Sequence, residues 1–196
     1  MYLRVKRFFD LLFIFASFPL WLPVMIVIAV LVRLSSRGPV FFMQKRIGIG
    51  EEFFMMYKFR SMYTEAPKDV PTHLLENPNV FITPVGRFIR KYSLDELPQI
   101  INIIKGELTL VGPRPALWNQ GDLIALREKY GANDIPVGLT GLAQISGRDE
   151  LTLGKKAAID GFYAKHIGIV IDIWILVRTV RYVLTGSGVR EGGLNE

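Results

Sequence analysis

Leu11-Leu12-Phe13-Ile14-Phe15-Ala16-Ser17-Phe18-Pro19-Leu20-Trp21-Leu22-Pro23-Val24-Met25-Ile26-Val27-Ile28-Ala29-Val30-Leu31-Val32 runs for 22 residues without a charge. As one helix it would extend about 33 Å at ~1.5 Å per residue, enough to cross a bilayer. Two features oppose a straight span. Pro19 and Pro23 sit near its middle, where each removes a helical N–H and crowds the preceding turn. Both flanks are basic, with Arg4, Lys6 and Arg7 before the stretch and Arg33 and Arg37 after it. A straight span cannot hold both flanks on the cytoplasmic side. The favoured reading is a re-entrant helix, bent at the prolines, that enters and leaves by the same face. A kinked spanning helix and an uncleaved signal anchor are the alternatives, and no small-x-small cleavage site follows the run. Phe18 and Leu22 precede the two prolines, so no serine directly adjacent to a proline is there to bond the carbonyls freed at the bend. Asp10 at the border is expected to face a basic neighbour or the interface, because a lone carboxylate in lipid is costly.

The charge pattern supports a membrane surface. Residues 1–46 hold seven basic side chains against Asp10 alone, which is the whole formal net charge of +6, and the remaining 150 residues balance. A nucleic-acid-binding domain would spread its basic groups over the folded body, whereas here they bracket an apolar stretch. No nucleic-acid partner is therefore expected. Half the residues are hydrophobic, which excludes a disordered chain. Cysteine is absent, so disulfides, thiolate zinc sites and a thiol nucleophile are excluded, and His73 and His166 are too few for a histidine metal cage.

Beyond Gly38 the composition changes. Val40-Phe41-Phe42 and Phe53 to Phe59 read as two strands joined by Arg46-Ile47-Gly48-Ile49-Gly50, a small β-hairpin. Gly48-x-Gly50 lacks the third glycine of a dinucleotide fingerprint. Thr64 to Pro84, with Pro67, Pro71 and Pro78 inside it, reads as a long irregular loop. Pro98 to Lys105 reads as a short buried helix stopped by Gly106, and Gly112-Pro113-Arg114-Pro115 as a rigid loop before a helix from about Leu117 to Tyr130. Ile167 to Leu184 reads as an amphipathic helix lying in an interface, or as a core helix with one wet edge. The expected fold class is α+β and mainly helical. Residues 1–36 form the re-entrant anchor, 37–185 a catalytic domain on the cytoplasmic face and 186–196 a flexible tail.

Ser93-Leu94-Asp95-Glu96-Leu97-Pro98 carries the candidate chemistry. Ser93 and Glu96 have capping-box spacing, or else Pro98 opens the helix. Either way Asp95 and Glu96 fall in or just before a first turn, where unpaired N–H groups favour anions. Acids there are commonplace in helices. These two are singled out by Arg87, Arg90 and Lys91 upstream, Lys58 and Arg60 after the hairpin, and Arg114 in its proline-stiffened loop. Arginine forks match phosphate oxygens, and carboxylates with arginines suit phosphoryl transfer. A divalent ion, Mg²⁺, would let a carboxylate and a phosphate approach each other.

Lys6-Arg7-x-x-Asp10, Gly38-Pro39-Val40-Phe41-Phe42, Tyr57-Lys58-Phe59-Arg60-Ser61-Met62, Ser93 to Gln99, Val111-Gly112-Pro113-Arg114-Pro115 and Gly138-Leu139-Thr140-Gly141-Leu142-Ala143-Gln144 occur in that order. Together they resemble the monotopic phosphoglycosyl transferases, bacterial sugar transferases that act on polyprenol phosphate, in their minimal small form. The resemblance implies attack by Asp95 on the β-phosphorus of a UDP-sugar. UMP would leave, and the aspartyl phosphosugar would pass to polyprenol phosphate in a ping-pong sequence. It implies Glu96 as the neighbouring acid/base or positioning group and Mg²⁺ at Asp95. Lys58, Arg90 and Arg114 match the family's basic phosphate-binding positions and Asp172 a further polar position near the site, with Arg60 a further substrate-binding candidate from the charge pattern. The Gly138 to Arg148 loop either contacts the nucleotide or sugar through Gln144 and Arg148, or is a structural turn. The implied location is the cytoplasmic leaflet of a bacterial inner membrane, with a homodimer left open. A glycosyl transferase releasing UDP and a non-catalytic membrane adaptor are the competing readings.

Overall fold

The structure, a computed structural model, describes residues 2–70, 75, 77–147 and 150–185. The expected 186–196 tail, Arg148 and Pro71 lie outside these residues. The fold is mainly helical α+β, as the sequence suggested.

The apolar stretch forms two helices, α1 (Tyr2–Ala16) and α2 (Phe18–Ser35). The break falls at Ser17 rather than at either proline. Pro19 sits in the first turn of α2, where a missing N–H leaves no bond unmade, and Pro23 is carried inside the helix. The carbonyls at the break are satisfied after all. Ser17 Oγ donates to Phe13 O at 2.6 Å, and Trp21 Nε1 donates to Ile14 O at 2.9 Å. Ser17, in the break itself, supplies the hydroxyl that the residues before the two prolines lack.

Both ends of this helical pair are fastened to one body. Lys6 Nζ lies 2.6 Å from Asp172 Oδ2, and Arg7 donates to Ile103 O and, at 3.0 Å, to Ile104 O. Asp10 is buried and takes hydrogen bonds from Thr109 Oγ1 and from Leu110 N, so it meets backbone and hydroxyl donors rather than the expected basic neighbour. At the other end, Arg60 donates to the last carbonyls of α2 and beyond: Val32 at 3.4 Å, Ser36 at 2.7 Å and Arg37 at 2.6 Å. A guanidinium there suits the negative end of a helix. Between these fastenings the helices expose Phe8, Phe13, Leu20, Val27 and Leu34, and only Ile28 and Val32 of α2 are buried.

The hairpin forms, with Arg46 and Ile47, expected in its connection, instead ending the first strand. β1 (Phe41–Ile47) and β2 (Phe53–Phe59) pair antiparallel, with Phe42 opposite Lys58, Gln44 opposite Met56 and Arg46 opposite Phe54. That register puts Gln44, Arg46 and Lys58 on one face, because side chains alternate along a strand. β1 also pairs with β4 (Ala116–Leu117), so Leu117 lies in a strand and not at the start of a helix. The helix that follows is α5 (Gly121–Glu128), shorter than expected.

Three helices were not foreseen, one of them a single turn inside the Gly138 to Arg148 loop. α3 (Pro84–Lys91) begins inside the supposed loop, with Thr83 accepting a hydrogen bond from Gly86 N and Pro84 in its first turn. α7 (Leu153–His166) begins at Thr152, whose hydroxyl accepts from Lys155 N. Between them lie α4 (Gln99–Lys105), β3 (Thr109–Val111), β5 (Gly138–Thr140) and α6 (Leu142–Ile145). Gly106 ends α4 at φ 88°, a conformation that suits glycine.

α8 (Ile169–Thr185) follows α7. It buries Asp172 and Ile175 and exposes Val170, Ile173, Trp174, Val177, Val180 and Leu184. Its exposed surface is an apolar side bordered by Arg178 and Arg181, so the interfacial reading fits better than a core helix with a wet edge. The main core joins Ile14, Met56, Ile100, Ile103, Val111, Tyr163 and Ile175. A second cluster packs Ile28 and Val32 of α2 on Phe59 and Ile89.

Candidate active site

Asp95 and Glu96 lie on a 3-10 turn, Leu94–Glu96, between α3 and α4. Ser93 makes no capping bond. It takes a left-handed backbone conformation, φ 52°, which is strained for a non-glycine residue and turns the chain sharply out of α3. The capping-box reading is thus overturned, while the acids still stand just before α4. Asn102 of α4 locks this turn against the hairpin. Its side-chain amide takes a hydrogen bond from Tyr57 N at 3.0 Å and donates to Met55 O at 2.8 Å, continuing the β2 edge as a strand would. Lys58, the residue after Tyr57, is thereby held over Glu96.

The resulting cluster is compact. Lys58 Nζ is 3.0 Å from Glu96 Oε1 and 3.9 Å from Asp95 Oδ2. Arg114 grips Glu96 with both fork nitrogens, at 2.6 Å and 3.3 Å. Both acids are buried. Glu96 is therefore the hub that holds the cations, and Asp95 has the looser pairing of the two. Burial pushes the Asp95 carboxyl above the ordinary carboxylate range, Lys58 pulls it back and Glu96 adds to the rise. Burial pushes Lys58 down, and Glu96 opposes that.

The Arg114 loop is fixed at three of its carbonyls. Gly138 N donates to Pro113 O at 2.9 Å, Arg127 Nη2 to Arg114 O at 2.9 Å and Arg46 Nη1 to Pro115 O at 3.0 Å. Arg127 is itself held in a buried ion pair with Asp160 at 2.6 Å, joining α5 to α7. The glycines make the approach feasible. A Cβ on Gly138 would lie 2.1 Å from Gly112 N, and one on Gly141 2.1 Å from Gly112 O. The Gly138 to Gly141 motif is thus a backbone clamp on the arginine loop, the structural one of its two readings.

Asp95 and Glu96 form part of the wall of a 420 Å³ cavity. Seven basic side chains, Arg46, Lys58, Arg60, Lys68, Arg90, Arg114 and Lys156, line it against those two acids. This excess suits a polyanion such as a diphosphate. Arg46, which the sequence reading passed over, faces the cavity beside Lys58. Burial and Arg114 push its guanidinium downward, and Glu96 opposes them. Its signal was there: from Lys58 across the hairpin, strand alternation brings Gln44 and Arg46 to the same face. Lys156 could not be found without α7.

Three expected site residues are placed otherwise. Arg60 reaches the cavity wall but spends its fork on the α2 carbonyls. Gln144 donates to Leu139 O and lines a second, apolar cavity on the other side of Glu96. Asp172 lines neither cavity; it pairs with Lys6 and takes hydrogen bonds from Tyr2 at 2.7 Å and Tyr163 at 2.6 Å. α8 crosses the start of α1 there, so the carboxylate fastens the two helices together. Arg148 lies outside the described residues.

Among the described residues no group of three or more His, Asp and Glu side chains could hold a metal ion alone. Mg²⁺ commonly takes only one or two carboxylates and completes its shell with substrate phosphate oxygens and water. Asp95, loosely paired at the cavity wall, fits that shared mode, whereas both oxygens of Glu96 are engaged by Lys58 and Arg114.

Residues 1–186 match the bacterial sugar transferase family. The chain belongs to the bacterial sugar transferases. It is 40% identical to the uncharacterized sugar transferase EpsL of Bacillus subtilis over 188 residues, 95% of this chain and 91% of that protein. It is 38% identical to the UDP-glucose:undecaprenyl-phosphate glucose-1-phosphate transferase of Xanthomonas campestris, covering 89% of this chain and 37% of the relative. The UDP-N-acetylgalactosamine-undecaprenyl-phosphate N-acetylgalactosaminephosphotransferase of Aeromonas hydrophila is 35% identical, over 96% of this chain and 46% of its own. This sugar transferase thus spans nearly all of EpsL and less than half of the two larger relatives.

Proposed function

We propose that this sugar transferase moves a sugar phosphate from a UDP-sugar to a polyprenol phosphate at a membrane surface, through a phosphosugar carried on Asp95. The observation that supports it is the pairing of a loosely held buried carboxylate with a 420 Å³ cavity lined by seven cations. In the first step an Asp95 Oδ forms a bond to the sugar-bearing phosphorus while the P–O bond to UMP breaks, its electron pair leaving with UMP. Arg114 and Lys58, placed by Glu96, meet charge on the transferring phosphoryl group. In the second step a phosphate oxygen of the polyprenol phosphate attacks the same phosphorus, releasing Asp95 and forming polyprenol diphosphate sugar. Asp95 is the residue that would hold Mg²⁺, which when bound would supply neutralisation of phosphate charge.

The anchor supports the same reading. α1 and α2 meet at Ser17 and both return to the body, while their bare apolar side chains and those of α8 give a surface for lipid. We read α1–α2 as re-entrant from the cytoplasmic leaflet. The test is product analysis with a panel of UDP-sugars, polyprenol phosphate and Mg²⁺. Release of UMP is expected with one of the sugars; release of UDP would make the protein a transferase of the sugar alone.

A further inference from the structure

We infer that the apolar cavity beside Glu96 seats the first isoprene units of the lipid acceptor, which slide in from the membrane between the α1–α2 break and α8. The inference rests on the proposed function and adds where the acceptor sits and what selects it. The cavity encloses about 500 Å³, within the range of a small-molecule site. Its walls come from three places: Ile14 and Trp21 of the anchor, Leu97 and Ile100 just after the catalytic turn, and Leu176 and Val180 of α8.

Polarity is confined. The Thr140 and Thr179 hydroxyls lie 2.7 Å apart and bond each other, while Lys91, Ser93 and Glu96 also line the space. Glu96 belongs to both cavities, so a chain held here would bring a phosphate at its head to the reacting turn from the side opposite the nucleotide. The same helices expose Phe13, Leu20, Val177 and Val180 at the outer surface. An occupant with a hydrocarbon body and an anionic head, arriving from lipid, is what such walls select. A water-soluble nucleotide would gain nothing from them. The predicted consequence is that acceptors are discriminated by how far the hydrocarbon behind the phosphate fills this cavity, which two isoprene units leave partly empty.

The test uses the full chain in nanodiscs with a saturating UDP-sugar, comparing undecaprenyl phosphate with a two-isoprene phosphate. Val180→Trp adds bulk from an exposed position at the cavity wall, and Leu176→Ala widens it without adding bulk. Val180→Trp should raise KM for the long acceptor about tenfold, as a misfit in an apolar pocket does, with a smaller shift for the short one. Leu176→Ala should narrow the preference for the long acceptor. Unchanged acceptor KM in both variants, or equal shifts for both acceptors, would overturn the inference while UMP release by the wild type kept the proposed function standing. A shift that disappears in detergent would assign the cavity to bilayer acyl chains and overturn it too. Absence of UMP release by the wild type would remove the proposed function and this inference with it.

Discussion

Two clusters in this molecule are built from the same parts and behave differently. At one, Asp95 and Glu96 face Lys58 and Arg114; at the other, Asp172 faces Lys6 with two tyrosine hydroxyls. Both bury their carboxylates. The second is sealed between α1, α7 and α8, and its lone pairs are taken by Lys6, Tyr2 and Tyr163. Burial and the Asp172 carboxylate hold the Tyr163 hydroxyl protonated. The first opens on a cavity, and its Asp95 is left 3.9 Å from the nearest lysine nitrogen. A carboxylate completed by its neighbours fastens helices, and one left incomplete beside a cavity is available for chemistry. Charge type alone does not separate the two roles; access does.

The largest effect should come from Asp95→Asn, with a fall in turnover of about 10⁴-fold or more, as expected for removing a nucleophile. Stability should move the other way. The folded-state pKa of Asp95 is raised, so the native state holds its proton to higher pH than the unfolded chain does. The carboxyl therefore costs stability as pH rises from the ordinary carboxylate value through the raised one. Asp95→Asn should melt at or above the wild-type temperature at neutral pH. The wild-type first half-reaction should have an acid limb displaced above the ordinary carboxylate pKa. A variant that loses activity and stability together would erase the distinction between the clusters.

At the sealed cluster, Lys6→Ala strands the Asp172 carboxylate and should cost about 3–5 kcal/mol. Lys6→Met with Asp172→Leu should recover most of it in denaturant melts. Arg114→Ala should lower kcat/KM by about 10²–10³-fold, the scale for losing one preorganised donor. The smallest effect belongs to the helix break. Ser17→Ala removes one hydrogen bond worth about 1 kcal/mol, and thermal melts in detergent would measure it.

Local pattern carried much of this architecture into the sequence. The hairpin, the α4 stop at Gly106 and the apolar face of α8 follow from alternation, a positive-φ glycine and helical spacing. The acidic pair before α4 was legible because cations surround it along the chain. What failed depends on tertiary approach. α3 hid behind a run of prolines, although Thr83-Pro84 is a good helix start. The break at Ser17 depends on Trp21 and the serine itself, not on proline. Asp172 looked like a site residue because nothing in its own helix reveals that Lys6, over 160 residues away, will neutralise it. Arg60 looked like a phosphate ligand until the end of α2 was laid against it. The clamp of Gly112 on Gly138 and Gly141 joins segments distant in sequence, so its glycines could be read equally well as a ligand loop.

The most direct test is the intact mass of the protein after incubation with its UDP-sugar and Mg²⁺, without any lipid acceptor. The account predicts a mass increase of one sugar phosphate, placed on Asp95 by peptide mapping, and its disappearance with product formed when polyprenol phosphate is added. UMP formed only when the acceptor is present, with no adduct on Asp95 under rapid quenching, would contradict it.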